Sequence, residues 1–128
     1  MSEPYVAIQV VMMPRDTNPL GSIFGGVILS YIDQAAAVGA RREAVRAGAE
    51  QPFLVTVAFN RVEFKQPVLV GDVVRFITRV ERLGRTSITM NVSVEADRGG
   101  ATLQVTEAEV VYVRIDPETR RPVPLKGE

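Results

Sequence analysis

The segment between Asp16 and Arg41 carries a single charged residue, Asp33, and this feature most restricts how the chain can fold. Small and apolar residues surround Asp33 on both sides, a composition typical of a helix that is buried on every side. An ionised carboxylate in apolar surroundings is costly unless other groups compensate its charge. We therefore expect a long buried helix in which Asp33 is retained for function.

The length and charge balance of the chain restrict its class. It has 128 residues, 46% of them hydrophobic, which suits one globular domain with a substantial core. We expect a single domain over residues 1–128. Fifteen Lys and Arg residues balance fifteen Asp and Glu residues, with no run of like charge, so we expect no nucleic-acid partner.

Two residue types are missing from the sequence. It has no cysteine, which excludes disulfides, thiolate metal sites and thiol nucleophiles. It has no histidine, so neither a Ser-His-Asp triad nor a His-ligated metal centre can form. Carboxylates, hydroxyls, amides, lysine and backbone dipoles remain for chemistry, and we expect no metal.

The start of the chain shows no signal for export. Residues 1–4 lack the basic region of a signal peptide, and no apolar run is as long as a membrane span. We expect a cytoplasmic protein with no membrane partner.

The N-terminal third predicts a strand, a loop and the long helix. Tyr5 to Met13 is a β-rich apolar run, and residues 15–21 have the Pro, Asn and Gly content of a loop. The helix is expected to begin between Ser22 and Gly26. It should end at Gly48, after arginines that favour the negative end of a helix dipole.

Beyond Pro52 the apolar residues recur at every second position, which predicts a strand. They lie first at Val55, Val57 and Phe59, and then at Val62 and Phe64. The parity changes between the two sets, as one extra residue in the strand would cause. We therefore predict a β-bulge or a sharp bend near Asn60 or Arg61.

Three further strands follow, and together the elements predict the fold class. The third strand runs from Gly71 through Val80, and the last covers residues 101–115. Between them, the fourth strand alternates most regularly between apolar and polar residues. A polar, Pro-rich tail occupies residues 116–128. This order predicts an α+β fold, with an antiparallel sheet of about five strands wrapped on one central helix. Because one helix cannot cover such a sheet, we expect a second subunit to cover strand edges.

One face of the helix is a candidate ligand groove. Helical spacing places Gly26, Ser30, Asp33 and Ala37 on that face, and Ser30 could hydrogen-bond the carboxylate. An alternative is that these small residues are packing contacts with the sheet. In that alternative Asp33 accepts hydrogen bonds from backbone amides of a neighbouring loop.

Gly25 and Gly26 lie near the expected start of the helix. Glycine weakens a helix but lets a ligand approach the exposed N–H groups of its first turn. Those N–H groups and the helix dipole would polarise a carbonyl and stabilise an oxyanion. With an acid about two turns further along the helix, the glycine pair indicates a catalytic site.

Several longer motifs occur together. The first half carries Met13-Pro14-Arg15-Asp16-Thr17-Asn18, Phe24-Gly25-Gly26 and Ile32-Asp33. The later strands carry Val55-Thr56-Val57-Ala58, Val62-Glu63-Phe64, Val70-Gly71-Asp72-Val73-Val74 and Gly84-Arg85-Thr86-Ser87-Ile88. Together the motifs resemble the hotdog-fold acyl-CoA thioesterases of the acyl-CoA hydrolase type, which include bacterial short-to-medium-chain enzymes and brain acyl-CoA hydrolase domains. The resemblance covers nearly the whole chain.

The resemblance implies hydrolysis of acyl-CoA to a free carboxylic acid and coenzyme A. It implies no cofactor, since coenzyme A is part of substrate and product. Asp33 would be the catalytic carboxylate, as general base or as nucleophile, and Asn18 would help to orient the reacting groups across a subunit interface. Gly25 and Gly26 match the turn whose amides face the thioester carbonyl. A dimer is implied, assembled further as a hexamer, a trimer of dimers.

The resemblance also implies where coenzyme A binds. Its pantetheine arm would exchange hydrogen bonds with the backbone of Val57, Ala58 and Phe59. Lys65 or Arg61 would add positive charge near its phosphates. The phosphates and adenine themselves would lie near Gly84, Arg85, Thr86 and Ser87.

Two alternatives from other classes stay open. The same fold serves non-catalytic acyl-CoA-binding or sensing modules, so the chain could bind acyl-CoA and leave it intact. A hydratase or dehydratase of this fold is the second, although those enzymes use a histidine that the sequence lacks. Acyl chain length, and the choice between nucleophile and general base for Asp33, are not fixed by the sequence.

Overall fold

The computed structural model describes residues 3–126 of the chain. One long helix and five strands follow one another in the predicted order. Their bounds are β1 Tyr5–Val11, α1 Gly25–Arg46, β2 Phe53–Phe64, β3 Val73–Leu83, β4 Ser87–Arg98 and β5 Ala101–Ile115. A short 3-10 turn, Pro14–Asp16, lies between β1 and α1.

The five strands form one antiparallel sheet in the order β1-β3-β4-β5-β2. β1 and β2 are therefore its edge strands. The helix α1 lies across one face of the sheet and contacts all five strands. One helix packed on a five-stranded antiparallel sheet confirms the predicted hotdog fold class.

The core lies between α1 and the inner face of the sheet. On β4 the residues predicted to share a buried face are all buried, namely Ile88, Met90, Val92, Val94 and Ala96. Small residues on the helix let it approach the sheet closely. A Cβ added at Gly39 would lie 2.5 Å from Thr78 Oγ1 and 2.9 Å from Met90 Cε, so no larger residue fits there without movement.

The helix begins within the predicted range and ends at Arg46, two residues before the predicted end. The expectation that it is buried on every side is wrong for the single chain, because the sheet covers only one of its faces. Val38 and Val45 on the other face are 44% and 43% exposed. No helix within residues 3–126 is long and apolar enough to cross a membrane.

The strand β2 pairs irregularly with β5 at two points. The register shifts between Asn60 and Glu63, where Arg61 has a φ of +51°, and this confirms the predicted bulge. A second shift, between Thr56 and Ala58, was not predicted. Together with the edge position of β2, it leaves Val57 55% exposed in the single chain.

The segment after β5 folds back onto the domain. Leu125 is only 3% exposed, and its amide donates to the carbonyl of Arg85. The Arg114 guanidinium donates to the carbonyl of Pro124 at 2.9 Å. The tail predicted as polar therefore contributes one buried leucine to the core. This was not predicted from the sequence, because most residues of the tail are polar. Residues 127 and 128, also part of that prediction, lie outside the described residues.

A buried ion pair joins the β2–β3 connection to the end of β4. Asp72 is 3% exposed, and its two oxygens accept hydrogen bonds from Arg98 at 2.7 and 3.0 Å. The same carboxylate accepts a hydrogen bond from the amide of Leu69. These bonds, led by that from Arg98, lower the pKa of Asp72 below its usual value, so the carboxylate is ionised near neutral pH.

Candidate functional site

Asp33 lies in the middle of α1 and faces two hydroxyl groups from the sheet. The Thr56 hydroxyl on β2 donates to Asp33 Oδ1 at 2.8 Å, and Tyr112 Oη on β5 lies 2.7 Å from the same oxygen. Thr56 and Tyr112 are directly paired across β2 and β5. The register of two strands therefore brings both hydroxyls to one carboxylate oxygen.

The other carboxylate oxygen of Asp33 is left available. Both partners of the carboxylate are side chains, so the alternative of a carboxylate bound by backbone amides of a loop is wrong. Within residues 3–126 Oδ2 has no hydrogen-bond partner, and Asp33 is half-buried. One oxygen is thus held while the other can accept a proton or attack a substrate.

Tyr112 contributes a hydrogen-bond donor to this site and does not ionise near neutral pH. The residue is 1% exposed, and its hydroxyl also lies 2.6 Å from the main-chain oxygen of Asp33. Burial, and then the hydrogen bond to the Asp33 carboxylate and its negative charge, raise the pKa of Tyr112 far above its usual value. The phenol is therefore a neutral hydrogen-bond donor near neutral pH.

The helix face predicted as a groove is open in the structure. Gly26 and Ser30 are exposed, Ala37 is half-buried, and a groove of about 420 Å³ runs beside Gly26 and Ser30. The predicted hydrogen bond from Ser30 to Asp33 is wrong. The Ser30 hydroxyl accepts a hydrogen bond from Gln34 Nε2 at 3.2 Å instead, because Asp33 turns toward the sheet.

Gly25 and Gly26 form the first turn of α1. Neither amide has a hydrogen-bond partner within residues 3–126. The carbonyl of Phe24, just before the helix, accepts hydrogen bonds from the amides of Val27 and Ile28. The two N–H groups at the positive end of the dipole are thus free to bind an oxyanion. Gly25 lies about 12 Å from Asp33 along the helix axis, at 1.5 Å per residue.

Asn18 stabilises the loop that leads into the helix. Its Oδ1 accepts hydrogen bonds from the amides of Leu20 at 2.9 Å and Ser22 at 3.2 Å. Its Nδ2 donates to the Ser22 hydroxyl at 3.0 Å. Within its own chain Asn18 therefore makes an Asx turn and has no hydrogen bond to Asp33 among the described residues.

The residues predicted to contact coenzyme A fall into three groups. Val57, Ala58 and Phe59 lie on the edge strand β2, next to Thr56, so they are close to Asp33. Arg61 and Lys65 lie elsewhere. They form ion pairs on the sheet face away from the helix, Arg61 with Glu109 at 3.2 Å and Lys65 with Glu107 at 3.6 Å.

The predicted phosphate segment, Gly84 to Ser87, comprises the turn between β3 and β4 and the first residue of β4. The Gly84 amide donates to the Ser87 carbonyl, and the carbonyls of Arg85 and Thr86 accept from Leu125 and Arg114. Beside this turn is a cavity of about 370 Å³, whose lining includes Arg85, Lys126 and Ala44 of the helix end. Ala44 lies about 16 Å beyond Asp33 along α1, so the turn and the carboxylate are well separated.

Three residues of the site were missed by the sequence reasoning. Thr56 lies inside a motif that was noted, but no role was assigned to its hydroxyl. The alternation of buried residues on β5 places Tyr112 on the inner face, where a phenol needs a hydrogen-bond partner, and this signal could have found it. Lys126 lies in the tail and gave no signal.

The described residues contain no group of three or more Asp, Glu, His or Cys side chains placed to hold a metal ion.

Comparison with known proteins places the chain in a family. The model of the thioesterase superfamily matches residues 20–103. The acyl-CoA thioester hydrolase YciA of Salmonella typhimurium is 35% identical over 128 residues, covering 95% of this chain and 92% of that protein. Its Escherichia coli K12 counterpart is 34% identical over 127 residues, covering 94% and 92%.

Solved structures agree with this assignment. The hexameric thioesterase y2039 from Yersinia pestis superposes with a TM-score of 0.87 at 33% identity, over 100% of both chains. Cj0915, a hexameric hotdog fold thioesterase of Campylobacter jejuni, gives a TM-score of 0.79 at 38% identity, over 94% of this chain and 92% of that one. The chain therefore belongs to the thioesterase superfamily.

Proposed function

We propose that this protein is an acyl-CoA thioesterase that hydrolyses acyl-CoA to a free carboxylic acid and coenzyme A. One observation carries the proposal. Oδ1 of Asp33 is held by the hydroxyls of Thr56 and Tyr112, while Oδ2 is left for chemistry. The curated relatives, named acyl-CoA thioester hydrolases, support the same reaction.

Two routes are compatible with this carboxylate. As general base, Oδ2 takes a proton from a water molecule, whose oxygen attacks the thioester carbonyl. As nucleophile, Oδ2 attacks the carbonyl itself, and water then hydrolyses the resulting anhydride. In both routes the carbon–sulfur bond breaks and coenzyme A leaves as a thiolate that is then protonated. Water is the only co-reactant, so we propose no metal or redox cofactor.

The oxyanion that forms on the carbonyl oxygen needs hydrogen-bond donors. The free amides of Gly25 and Gly26 are suitable, but within one chain they lie about 10 to 12 Å from Asp33 along the helix. That span is too long for one reacting carbonyl to meet both. We therefore propose that the amides of one subunit face Asp33 of another, and that Asn18 also acts across this interface.

This arrangement requires a homodimer, and we propose further assembly into a hexamer, a trimer of dimers. The exposed helix residues Val38 and Val45 and the free edge of β2 are surfaces that a second copy would cover. Two structural relatives, y2039 and Cj0915, are described as hexameric.

Coenzyme A would extend from Asp33 toward the end of the helix. The pantetheine arm would lie along Val57 to Phe59, next to Thr56. Its phosphates would lie at the β3–β4 turn, where Arg85 and Lys126 line one cavity. Arg61 and Lys65 stay predictions for this role, although their ion pairs on the opposite sheet face disfavour it.

Turnover tests the proposal directly. Wild-type protein is incubated with a panel of acyl-CoA esters of different chain length, and release of free thiol is measured together with the acid product. We expect multiple turnovers for at least one ester. A protein that binds acyl-CoA in calorimetry and leaves it intact would instead be a sensing module, which is the alternative function.

A further inference from the structure

One hydroxyl contacts both the backbone and the side chain of the central acid. Tyr112 Oη lies 2.6 Å from the main-chain oxygen of Asp33 and 2.7 Å from its Oδ1. A phenol has one proton, and both neighbours are acceptors, so the proton is shared between two oxygens of one residue. The contact therefore fixes the carboxyl group relative to the helix that carries it.

We propose that Tyr112 is a positioning residue for catalysis, which holds the Asp33 carboxylate so that Oδ2 faces the reacting carbonyl. This inference rests on the proposed function of Asp33. Tyr112 acts through Asp33 and need not touch the substrate.

The two donors to Oδ1 differ in how firmly they are held. In the single chain Thr56 is exposed on the edge strand β2, beside a register shift, so its position depends on what covers that edge in the dimer. Tyr112 is buried on β5, in the interior of the sheet, with Ile88 as its direct neighbour on β4. The tyrosine is thus the rigid anchor of the pair.

Orientation of this kind affects the rate more than the binding. A carboxylate that rotates freely spends less time with an oxygen aimed at the substrate, while the contacts that bind coenzyme A are unchanged. Loss of the Tyr112 hydroxyl should therefore lower kcat and leave KM unchanged. A purely structural hydroxyl would change the melting temperature and leave kcat unchanged.

The test compares two conservative variants. Tyr112→Phe keeps the buried ring and removes only the hydroxyl, so the packing that supports folding remains. We expect kcat to fall tenfold to a hundredfold, in the range for a lost hydrogen bond to a charged group, with KM changed less than twofold. Tyr5→Phe, the matched control on β1, should keep full activity, because the Tyr5 ring packs against Arg42.

A second measurement shows whether Tyr112 works through Asp33. In an Asp33→Asn background, Tyr112→Phe should cause no further loss of residual thiol release, because the group that it positions is already inactive. An additional tenfold loss in that background would overturn the inference. So would a folded Tyr112→Phe protein with wild-type kcat, whereas a wild-type protein without turnover would instead overturn the proposed function.

Discussion

The Thr56 hydroxyl donates a 2.8 Å hydrogen bond to Oδ1 of Asp33 and so connects the edge strand β2 to the middle of α1. Because the partner of Thr56 across the strands is Tyr112, the same oxygen is reached from β5 as well. Within residues 3–126 this oxygen thus has two neutral hydrogen-bond donors, and no cationic side chain is paired with it. This leaves the negative charge of the carboxylate available for proton transfer or attack.

Replacing Asp33 by Asn tests the central residue. The amide keeps nearly the same shape but is neither a useful base nor a nucleophile, so thiol release should fall by a factor of about a thousand or more. The melting temperature should change little, because Thr56 and Tyr112 can still hydrogen-bond an amide oxygen. Full activity of Asp33→Asn in the thiol-release assay would remove Asp33 from the mechanism.

Gly26→Ala separates stability from activity at the start of the helix. No atom lies within 4 Å of a Cβ added at Gly26, and Ala favours a helix over Gly, so stability should rise by roughly 0.5 kcal/mol. Thiol release should fall, because the methyl group would obstruct a carbonyl that approaches the first-turn amides. Chemical denaturation and the kinetic assay measure the two effects on the same preparation.

The same substitution at Gly39 serves as a contrast. There the added methyl group would meet Thr78 and Met90 in the core, and we expect a loss of about 1–3 kcal/mol. If Gly39→Ala were as stable as the wild type, the close packing of α1 on β3 and β4 would be refuted.

Asn18 can be tested with two variants of different size. Asn18→Ala removes the acceptor for the amides of Leu20 and Ser22, so stability should fall by about 1 kcal/mol and activity should fall with it. Asn18→Asp keeps that acceptor and loses the Nδ2 donor, so it should lower activity with a smaller loss of stability. Equal losses of stability in the two variants would show that the turn does not depend on Oδ1.

Acid should weaken the fold through Asp72. Since the pKa of Asp72 is lowered in the folded chain, its contribution is present above the unfolded value of 3.8 and is lost as pH falls below it. Asp72→Asn should cost about 2 kcal/mol at neutral pH, because Arg98 loses its ionised partner. Urea unfolding at pH 7 and near pH 3 measures both effects, and the variant should differ less from the wild type at the lower pH.

Asp97 provides the control for that measurement. Its pKa is lowered to about 2, mainly by the Arg75 guanidinium, but its side chain is 40% exposed, against 3% for Asp72. Asp97→Asn should therefore destabilise the fold much less than Asp72→Asn. If Asp97→Asn destabilised the fold more than Asp72→Asn, burial would not explain the contribution of the Asp72 ion pair to stability.

Charge at the β3–β4 turn should affect recognition of coenzyme A. Arg85→Ala should raise KM for acyl-CoA severalfold and leave KM for the matching acyl-pantetheine unchanged, because only the former carries phosphates. Arg61→Ala is the comparison variant on the other sheet face and should have a smaller effect on KM for acyl-CoA. Equal effects of both variants would argue against a phosphate site at the turn.

Local patterns of the sequence were sufficient for the element order, the start of α1, the bulge near Arg61 and the buried face of β4. Each depends on neighbouring residues, through the periodicity of side chains along a helix or strand. The isolated charge of Asp33 was also a local signal, and it led to the residue around which the candidate site is built.

Only the tertiary structure decided what surrounds Asp33. Thr56 and Tyr112 lie 23 and 79 positions away in the sequence, and they reach one oxygen because β2 and β5 pair in a particular register. The same long-range packing placed Arg61 and Lys65 on the outer sheet face and buried Leu125 of the tail. Periodicity shows which side a residue faces within its own element, whereas strand register and helix docking determine which distant groups it meets.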